Sequence, residues 1–140
     1  QLPVCAAETN LTDSTGLGKP GGFIYVLLPI HDRRAVTERF VRCLMAQTDR
    51  RFHLVLVDDG STDGSSEMVR QLLPETTVIR GPGSWWWAGS LQRAYLWLKR
   101  RGVTADDLVL IANDDTEFEP DFLANARSEL SGPRRALLLA

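Results

Sequence analysis

The sequence lacks the features that identify several common classes of protein. Only two cysteines occur among 140 residues, and they show neither the spacing of a metal site nor a disulfide framework. No apolar run is long enough to span a bilayer, and the first residues carry no signal-peptide pattern. The formal net charge of −2 gives no general attraction to nucleic acid or to an anionic membrane. We therefore expect a soluble protein without a transmembrane segment, cytoplasmic and at most peripheral to a membrane.

Positive charge is confined to a few short clusters of basic residues. These are Arg33-Arg34, Lys99–Arg101 and Arg134-Arg135. Each cluster lies near the end of a predicted helix, so we interpret all three as solvated surface. We expect no nucleic-acid partner.

Motifs for several kinds of catalytic and cofactor-binding site are also absent. The segment PIHDRRAV, which follows the first predicted strand, contains no glycine, and this argues against a dinucleotide-binding fingerprint and against a P-loop. No serine lies in a G-x-S-x-G turn, and no cluster of histidine and cysteine could hold zinc. A phosphate-bearing ligand would therefore need another source of positive charge.

What the chain does contain is a regular alternation of apolar runs and amphipathic segments. Its apolar content of 44% is sufficient for one packed core. The alternation predicts an α/β fold with a doubly wound, mostly parallel sheet and helices on both faces. We divide the chain into a flexible extension over residues 1–22 and an α/β domain over residues 23–140. The predicted strands are Phe23–Leu28, Phe52–Val57, Thr76–Arg80 and Leu108–Ala112, with a first helix across Arg34–Thr48 and a third that ends at Gly102.

Polar loops follow three of the predicted strands: Pro29–Asp32, Asp58–Asp63 and Asn113–Thr116. The carboxyl ends of parallel strands share one edge of a sheet, where open α/β folds bind their ligands, so we expect these loops to converge. Two adjacent carboxylates such as Asp114 and Asp115 repel each other unless a cation, a ligand or water compensates, and their oxygen atoms suit magnesium, manganese or calcium. In the alternative interpretation, both residues only cap the next helix.

Other conspicuous side chains have structural interpretations. Cys43 falls within an apolar helical pattern and is predicted to be an inert core residue. His53 alternates with apolar neighbours in a strand. For Trp85–Trp87, packing of at least two rings in the core is favoured over stacking on a sugar. In the helix that follows, the i, i+4 spacing predicts a buried face that includes Tyr95.

The order of the motifs resembles glycosyltransferase family 2. PIHD at 29–32 is similar to the family's strand-P-T-Y-N opening, AQT at 46–48 matches its frequent A-Q-T, and VDDGSTD at 57–63 is unchanged. Asn113-Asp114-Asp115 falls at the family's D-x-D motif, and Pro120-Asp121 matches its usual sequel. The resemblance covers roughly Phe23 to Ala140. It implies the N-terminal, nucleotide-sugar-binding half of a Rossmann-like type A glycosyltransferase fold.

This resemblance implies roles for individual residues. The loop after the first strand would flank the nucleotide base, and Asp59 would accept a hydrogen bond from it. Asp115 would bind a divalent cation, manganese or magnesium, that bridges the donor diphosphate, with Asn113 near the ribose. Arg93 is a candidate for a phosphate contact. The nucleotide-binding candidates are Pro29, Ile30, His31, Asp32, Asp58, Asp59, Asn113, Asp114 and Arg93.

The implied reaction is transfer of a sugar, with inversion, from a nucleoside diphosphate sugar of UDP or dTDP type to a sugar or lipid-linked glycan acceptor. The metal would act as a Lewis acid, and a general base would deprotonate the acceptor hydroxyl. In the family this base lies in the acceptor half, beyond D-x-D, so we assign no catalytic residue and expect poor transfer by the 140-residue chain alone. The alternatives are a truncated or degenerate nucleotide-binding or interaction module, or a nucleotidyltransferase on a related fold.

Overall fold

The computed structural model describes residues 22–130 and 138–139, and most of the predicted extension over residues 1–22 lies outside them. The described residues form one five-stranded sheet in which every strand pair is parallel, as predicted. The strands are β1 (Ile24–Ile30), β2 (Phe52–Asp58), β3 (Thr77–Arg80), β4 (Leu108–Ile111) and β5 (Leu138–Leu139). The helices are α1 (Arg34–Met45), α2 (Ser65–Leu72), α3 (Trp86–Arg101) and α4 (Phe122–Glu129).

The sheet buries both of its faces, which explains why its strands are apolar runs rather than alternating ones. Successive side chains of a strand point to opposite faces, so that Val26 and Leu28 contribute to one core cluster and Tyr25 and Leu27 to the other. The first cluster includes residues of α1, α2 and α4, and the second includes residues of α3. The prediction of helices on both faces is confirmed.

The strand order β3-β2-β1-β4-β5 changes direction between β1 and β4, and such a switch point is where open α/β sheets form a ligand-binding crevice. The ladder between these strands ends at the pair Leu27↔Ile111. Ala112 still donates its N–H to the Leu27 carbonyl at 3.1 Å, but the next N–H on that side of β1 would belong to Pro29, which has none. β1 therefore continues to Ile30 beside β2 alone. This leaves its last residues open toward β4.

Several predicted boundaries and faces were wrong. β1 runs two residues beyond the expected Leu28, because its pairing with β2 continues to Ile30↔Asp58. α1 ends at Met45 rather than Thr48, and Cys43 is a half-buried free thiol rather than a core residue. Tyr95 is 52% exposed, since the buried face of α3 is formed by Ser90, Ala94 and Leu98. The predicted end of this helix at Gly102 agrees with the structure.

Buried Gln47 joins the end of α1 to the start of α4. Its Oε1 accepts the N–H of Leu123 at 3.0 Å, and its Nε2 donates to the carbonyls of Glu119 at 2.8 Å and Cys43 at 3.2 Å. Next to it, the Thr48 N–H donates to the Pro120 carbonyl at 2.8 Å. These bonds explain why α1 stops before Gln47, and they hold the loop between β4 and α4 against α1.

His53 is a structural residue, in agreement with its position in the strand pattern. Its ring stacks on Trp97 with a centroid separation of 5.7 Å, and its Nε2 lies 2.8 Å from the Thr77 hydroxyl. Burial and the positive charge of Arg101 lower the pKa of His53, against the opposing effect of Glu75. Among the described residues, no helix is long and apolar enough to cross a membrane.

Candidate functional site

A cleft of about 420 Å³ opens at the switch point between β1 and β4. Its walls are the loops at the carboxyl ends of the first four strands, together with the N-terminal end of α3. The lining residues are Pro29, Ile30, His31, Arg33, Asp59, Gly83, Trp86, Trp87, Ser90, Asn113, Asp114 and Asp115.

At the β4 side of the cleft, Arg33 bridges the two adjacent carboxylates. Its Nη1 lies 3.0 Å from Asp114 Oδ1 and its Nη2 lies 3.4 Å from Asp115 Oδ2. Asp114 is buried, and its other oxygen accepts the hydroxyl of Thr37 at 3.1 Å. Asp115 is 59% exposed. The two carboxylates are therefore not equivalent: Asp114 is buried in the wall of the cleft, whereas Asp115 is exposed.

Burial raises the pKa of Asp114, and the neighbouring charge of Asp115 raises it further. Arg33 and the hydroxyl of Thr37 oppose this effect because they stabilise the charged carboxylate. The acidic loop is thus held in place by a cation supplied from the start of α1.

Asn113, the first residue of this loop, is tied to the opposite wall. Its Oδ1 accepts the indole N–H of Trp87 at 3.0 Å. Trp87 belongs to the first turn of α3, so this bond connects the end of β4 directly to α3.

At the β2 side of the cleft, the carboxylate of Asp59 caps α3 from a distant loop. Oδ2 accepts the backbone N–H groups of Trp85 at 2.8 Å and Trp86 at 2.9 Å, and Oδ1 accepts that of Gly83 at 2.8 Å. The first N–H groups of a helix have no partner within it, and a carboxylate there is also favoured by the helix dipole. Asp59 is only 5% exposed, so these bonds are shielded from water.

Two glycines allow this close approach of the β2 and β3 loops. A Cβ on Gly81 would lie 2.6 Å from Asp59 Oδ1 and 2.5 Å from the Trp85 ring. A Cβ on Gly60 would lie 2.7 Å from the backbone N of Gly83, and Gly60 also has φ +78°. Larger residues at either position would push the loops apart.

His31 stands at the end of β1 with its ring oriented by the backbone. Its Nδ1 lies 2.6 Å from the carbonyl oxygen of Asp59, and since a carbonyl only accepts, this nitrogen carries a proton. Nε2 lies 3.6 Å from Asp32 Oδ2, and the side chain is 57% exposed. The ring is thus presented to the cleft with one nitrogen fixed and the other accessible.

Seven of the ten predicted site residues line the cleft, and three lie outside it. Asp32 accepts the Thr62 N–H at 2.6 Å. Asp58 is the buried last residue of β2 and accepts from the Ser61 N–H at 2.8 Å and the Ser66 hydroxyl, so it shapes the loop beneath the cleft. Arg93 stacks on the Trp85 ring at 4.7 Å instead of facing the cleft.

The sequence interpretation also missed residues that line the cleft. Arg33 was assigned to solvated surface, but it contacts both aspartates of the acidic loop. Only Trp85 of the three tryptophans packs in the core; Trp86 and Trp87 are 78% and 52% exposed and line the cleft. Trp86 also has a φ of +56°, an uncommon conformation for a bulky residue. The position of Arg33 directly after the polar loop Pro29–Asp32 was the one sequence signal that it lines the cleft.

The donor atoms suit a shared cation rather than an all-protein metal site. Across residues 22–130, no group of three or more His, Cys, Asp or Glu side chains could hold a metal ion. Asp115 supplies one exposed carboxylate. Magnesium in proteins is commonly held by one or two carboxylates with substrate phosphates and water completing its shell, and this donor set fits that arrangement.

The family model described as "Glycosyl transferase family 2" matches residues 25–139. Relatives include N-acetylglucosaminyl-diphospho-decaprenol L-rhamnosyltransferases of two Mycobacterium tuberculosis strains, CDC 1551 / Oshkosh and ATCC 25618 / H37Rv. Each is 29% identical over an alignment of 99 residues, which covers 65% of this chain and 32% of the relative.

A similar solved structure is mannosyltransferase PcManGT from Pyrobaculum calidifontis in complex with GDP-Man and Mn2+. The TM-score is 0.66 at 23% identity, over 82% of this chain and 36% of the other. This likeness confirms the predicted fold. The chain spans about a third of the length of the proteins it matches.

Proposed function

Because the chain belongs to glycosyl transferase family 2, we propose that it is the donor-binding part of an enzyme that transfers a sugar from a nucleoside diphosphate sugar, with inversion, to an acceptor hydroxyl. The observation that carries this proposal is the cleft between β1 and β4. Asp59 and His31 line it at one side, and the exposed carboxylate of Asp115 lies at the other. Its volume of about 420 Å³ is that of a small-molecule site.

The β1–β2 side is proposed to bind the base. The carboxylate of Asp59 has about four lone pairs that can accept hydrogen bonds. Three of them accept the backbone N–H groups of Gly83, Trp85 and Trp86. The remaining one can accept the ring N–H of uracil or thymine, which favours a donor of UDP or dTDP type. The exposed ring of His31 supplies a surface on which a base can stack.

The β4 side is proposed to bind the ribose and diphosphate. Asp115 would hold manganese or magnesium, and Asn113 would lie near the ribose. When bound, the cation supplies Lewis-acid stabilisation of the charge that develops on the departing diphosphate. PcManGT, a similar fold, is described with Mn2+ and a nucleoside diphosphate sugar, and this supports the same class of cation here.

The proposed acceptor is a sugar or a lipid-linked glycan. The mycobacterial relatives are named for N-acetylglucosaminyl-diphospho-decaprenol, a sugar linked to a lipid, and this supports a lipid-linked acceptor here. Inverting transfer also requires a general base, and we assign none within this chain.

Calorimetry with UDP, dTDP and GDP, each with and without Mn²⁺, tests the proposal. We expect Mn²⁺-dependent binding of at least one nucleotide and a loss of about 10-fold or more in affinity in Asp115→Asn, because the removed charge would contact the cation directly. Glu117→Gln is the matched control, since Glu117 is exposed, lies two residues away and contacts Arg39 at 4.0 Å instead of lining the cleft. If no nucleotide binds in the presence of Mn²⁺, the proposal is wrong, and the chain is better explained as an interaction module that binds no donor.

A further inference from the structure

We propose that Arg33 is the internal counter-cation of the diphosphate end of the cleft. Before the donor binds, its guanidinium balances Asp114 and Asp115; when the donor binds, it moves from Asp115 to a phosphate oxygen. This inference rests on the proposed function and adds a residue to it. Arg33 couples the binding of the cation to the binding of the diphosphate.

Arg33 is well placed to act on both carboxylates. It is the residue that precedes α1, and its carbonyl accepts the first backbone hydrogen bond of the helix, from Thr37, at 2.9 Å. From this fixed backbone its side chain reaches Asp114 at 3.0 Å and Asp115 at 3.4 Å. The planar guanidinium presents several N–H groups in a fork, so one cation can serve two acceptors at once.

The two contacts of Arg33 differ in strength, and this difference decides which one can be released. Asp114 is 4% exposed, so separating it from the guanidinium would leave a buried carboxylate with the Thr37 hydroxyl but without its countercharge. Asp115 is 59% exposed and its contact is 0.4 Å longer, at 3.4 Å against 3.0 Å. Exposed ion pairs contribute little free energy. Arg33 can therefore leave Asp115 while it remains anchored to Asp114.

Release from Asp115 leaves the second arm of the guanidinium facing the cleft. The side chain is 46% exposed and lines the cleft. Arginine binds phosphate with the same fork that it uses for carboxylate, so a diphosphate oxygen can replace Asp115 as the acceptor. The loop after β1 contains no glycine, so it lacks the glycine-rich backbone that binds phosphate in a P-loop. Arg33 supplies positive charge for the phosphate instead.

The same arrangement opposes a cation that arrives alone. A divalent ion held by Asp115 would be repelled by the guanidinium that contacts the same carboxylate, and this repulsion would lower the affinity for the ion. A diphosphate would remove this penalty, because its oxygens would accept from Arg33 and their negative charge would also attract the ion. Arg33 therefore makes cation and nucleotide bind together rather than independently.

The test compares two ligands on the full 140-residue chain. In Arg33→Gln we expect Mn²⁺ alone, measured by the electron paramagnetic resonance signal of the free ion, to bind roughly 3- to 10-fold more tightly. The nucleotide that the wild type binds, measured by calorimetry at saturating Mn²⁺, should bind about 10-fold more weakly, because a charge-assisted hydrogen bond is lost. A loss of folding would weaken both ligands, so opposite changes identify the proposed role.

Two further variants sharpen the comparison. Arg33→Lys keeps the charge but loses the fork, so the affinity for Mn²⁺ alone should stay near that of the wild type while nucleotide binding falls. Arg39→Gln makes the same change of net charge on α1 outside the cleft, and both affinities should be unchanged.

The proposal is overturned if Arg33→Gln leaves the affinity for Mn²⁺ alone unchanged or lowers it, or if nucleotide binding is retained. Failure of the proposed function has a different result, since the wild type itself would then bind no nucleotide in the presence of Mn²⁺. That outcome would also remove the phosphate contact assigned to Arg33.

Discussion

The carboxylate of Asp59 accepts the backbone N–H of Trp85 at 2.8 Å, across 26 residues of sequence. Through this bond the VDDGSTD segment fixes the start of α3, which carries Trp86 and Trp87 into the cleft wall. The segment that most resembles the family pattern is thus a scaffold for the cleft as well as part of its lining. Its carboxylate has a structural role whether or not a nucleotide is bound.

The first prediction concerns the stability supplied by this cap. Asp59→Ala should lower the free energy of unfolding by roughly 2–3 kcal/mol, because three backbone N–H groups lose their acceptor in a buried loop. Urea unfolding followed by circular dichroism measures this change. Asp121→Ala is the control, since Asp121 precedes α4 but makes no capping hydrogen bond, and its loss should cost less than about 1 kcal/mol. Equal effects of the two substitutions would contradict the capping role of Asp59.

The second prediction concerns the clamp between α1 and α4. Gln47→Leu preserves the size of the side chain but removes its hydrogen bonds to Leu123, Glu119 and Cys43. The free energy of unfolding should fall by about 3 kcal/mol, because buried backbone groups are left without partners. Thermal unfolding measures the effect. Thr48→Val is the control, because Thr48 is exposed and its hydrogen bond to Pro120 is formed by the backbone N–H, which valine keeps. A melting temperature unchanged by Gln47→Leu would contradict this account.

The third prediction separates the tryptophan that serves the cleft from one that serves the core. Trp87→Phe removes the indole N–H that Asn113 accepts at 3.0 Å, so the acidic loop loses its link to α3. Calorimetry should show a loss of roughly 3- to 10-fold in Mn²⁺-dependent nucleotide affinity. Trp97→Phe should instead lower the stability of the fold and leave the nucleotide affinity unchanged, because Trp97 stacks on His53 in the core. The interpretation fails if both variants bind nucleotide like the wild type.

The fourth prediction is a pH dependence of stability that comes from His53. Burial and Arg101 lower its pKa in the folded chain below the ordinary 6.5, against the opposing charge of Glu75. Between this lowered pKa and pH 6.5, the unfolded chain therefore binds more protons at His53 than the folded chain does. The contribution of neutral His53 is fully present above pH 6.5 and is lost as the pH falls through the lowered pKa. Urea unfolding at several pH values should show a smaller decrease below pH 6.5 in His53→Gln than in the wild type, and an identical slope would contradict the assignment.

Much of the fold could be predicted because it depends on local patterns. A continuous apolar run such as β4 indicates a strand that is buried on both faces, and the alternation of such runs with amphipathic segments predicts a parallel α/β sheet. The end of β1 could not be predicted in this way. A proline normally interrupts a ladder, but Pro29 interrupts only the pairing toward β4, and the pairing toward β2 continues to Ile30. Which neighbour a strand residue faces is a property of the sheet.

The errors at the cleft have a similar origin. The spacing of Trp85–Trp87 indicates only that three large apolar side chains are adjacent, and burial of at least two is the ordinary expectation. In the structure Asp59 fixes the start of α3 so that only Trp85 packs in the core. Asp58 was predicted to share the site with Asp59, but it is the buried last residue of β2, and its side chain accepts from Ser61 and Ser66 instead of lining the cleft.

The sequence by itself determined the fold class, the family resemblance and the sheet edge at which the three polar loops meet, because periodicity and motif order are local properties of the chain. Only the tertiary structure decided the different environments of Asp114 and Asp115, since these depend on Arg33 and Thr37, which are distant in sequence. It also moved Arg33 from the predicted solvated surface into the cleft. A side chain's partners depend on which elements pack together, and the buried face of α1 brings Arg33 to the end of β4.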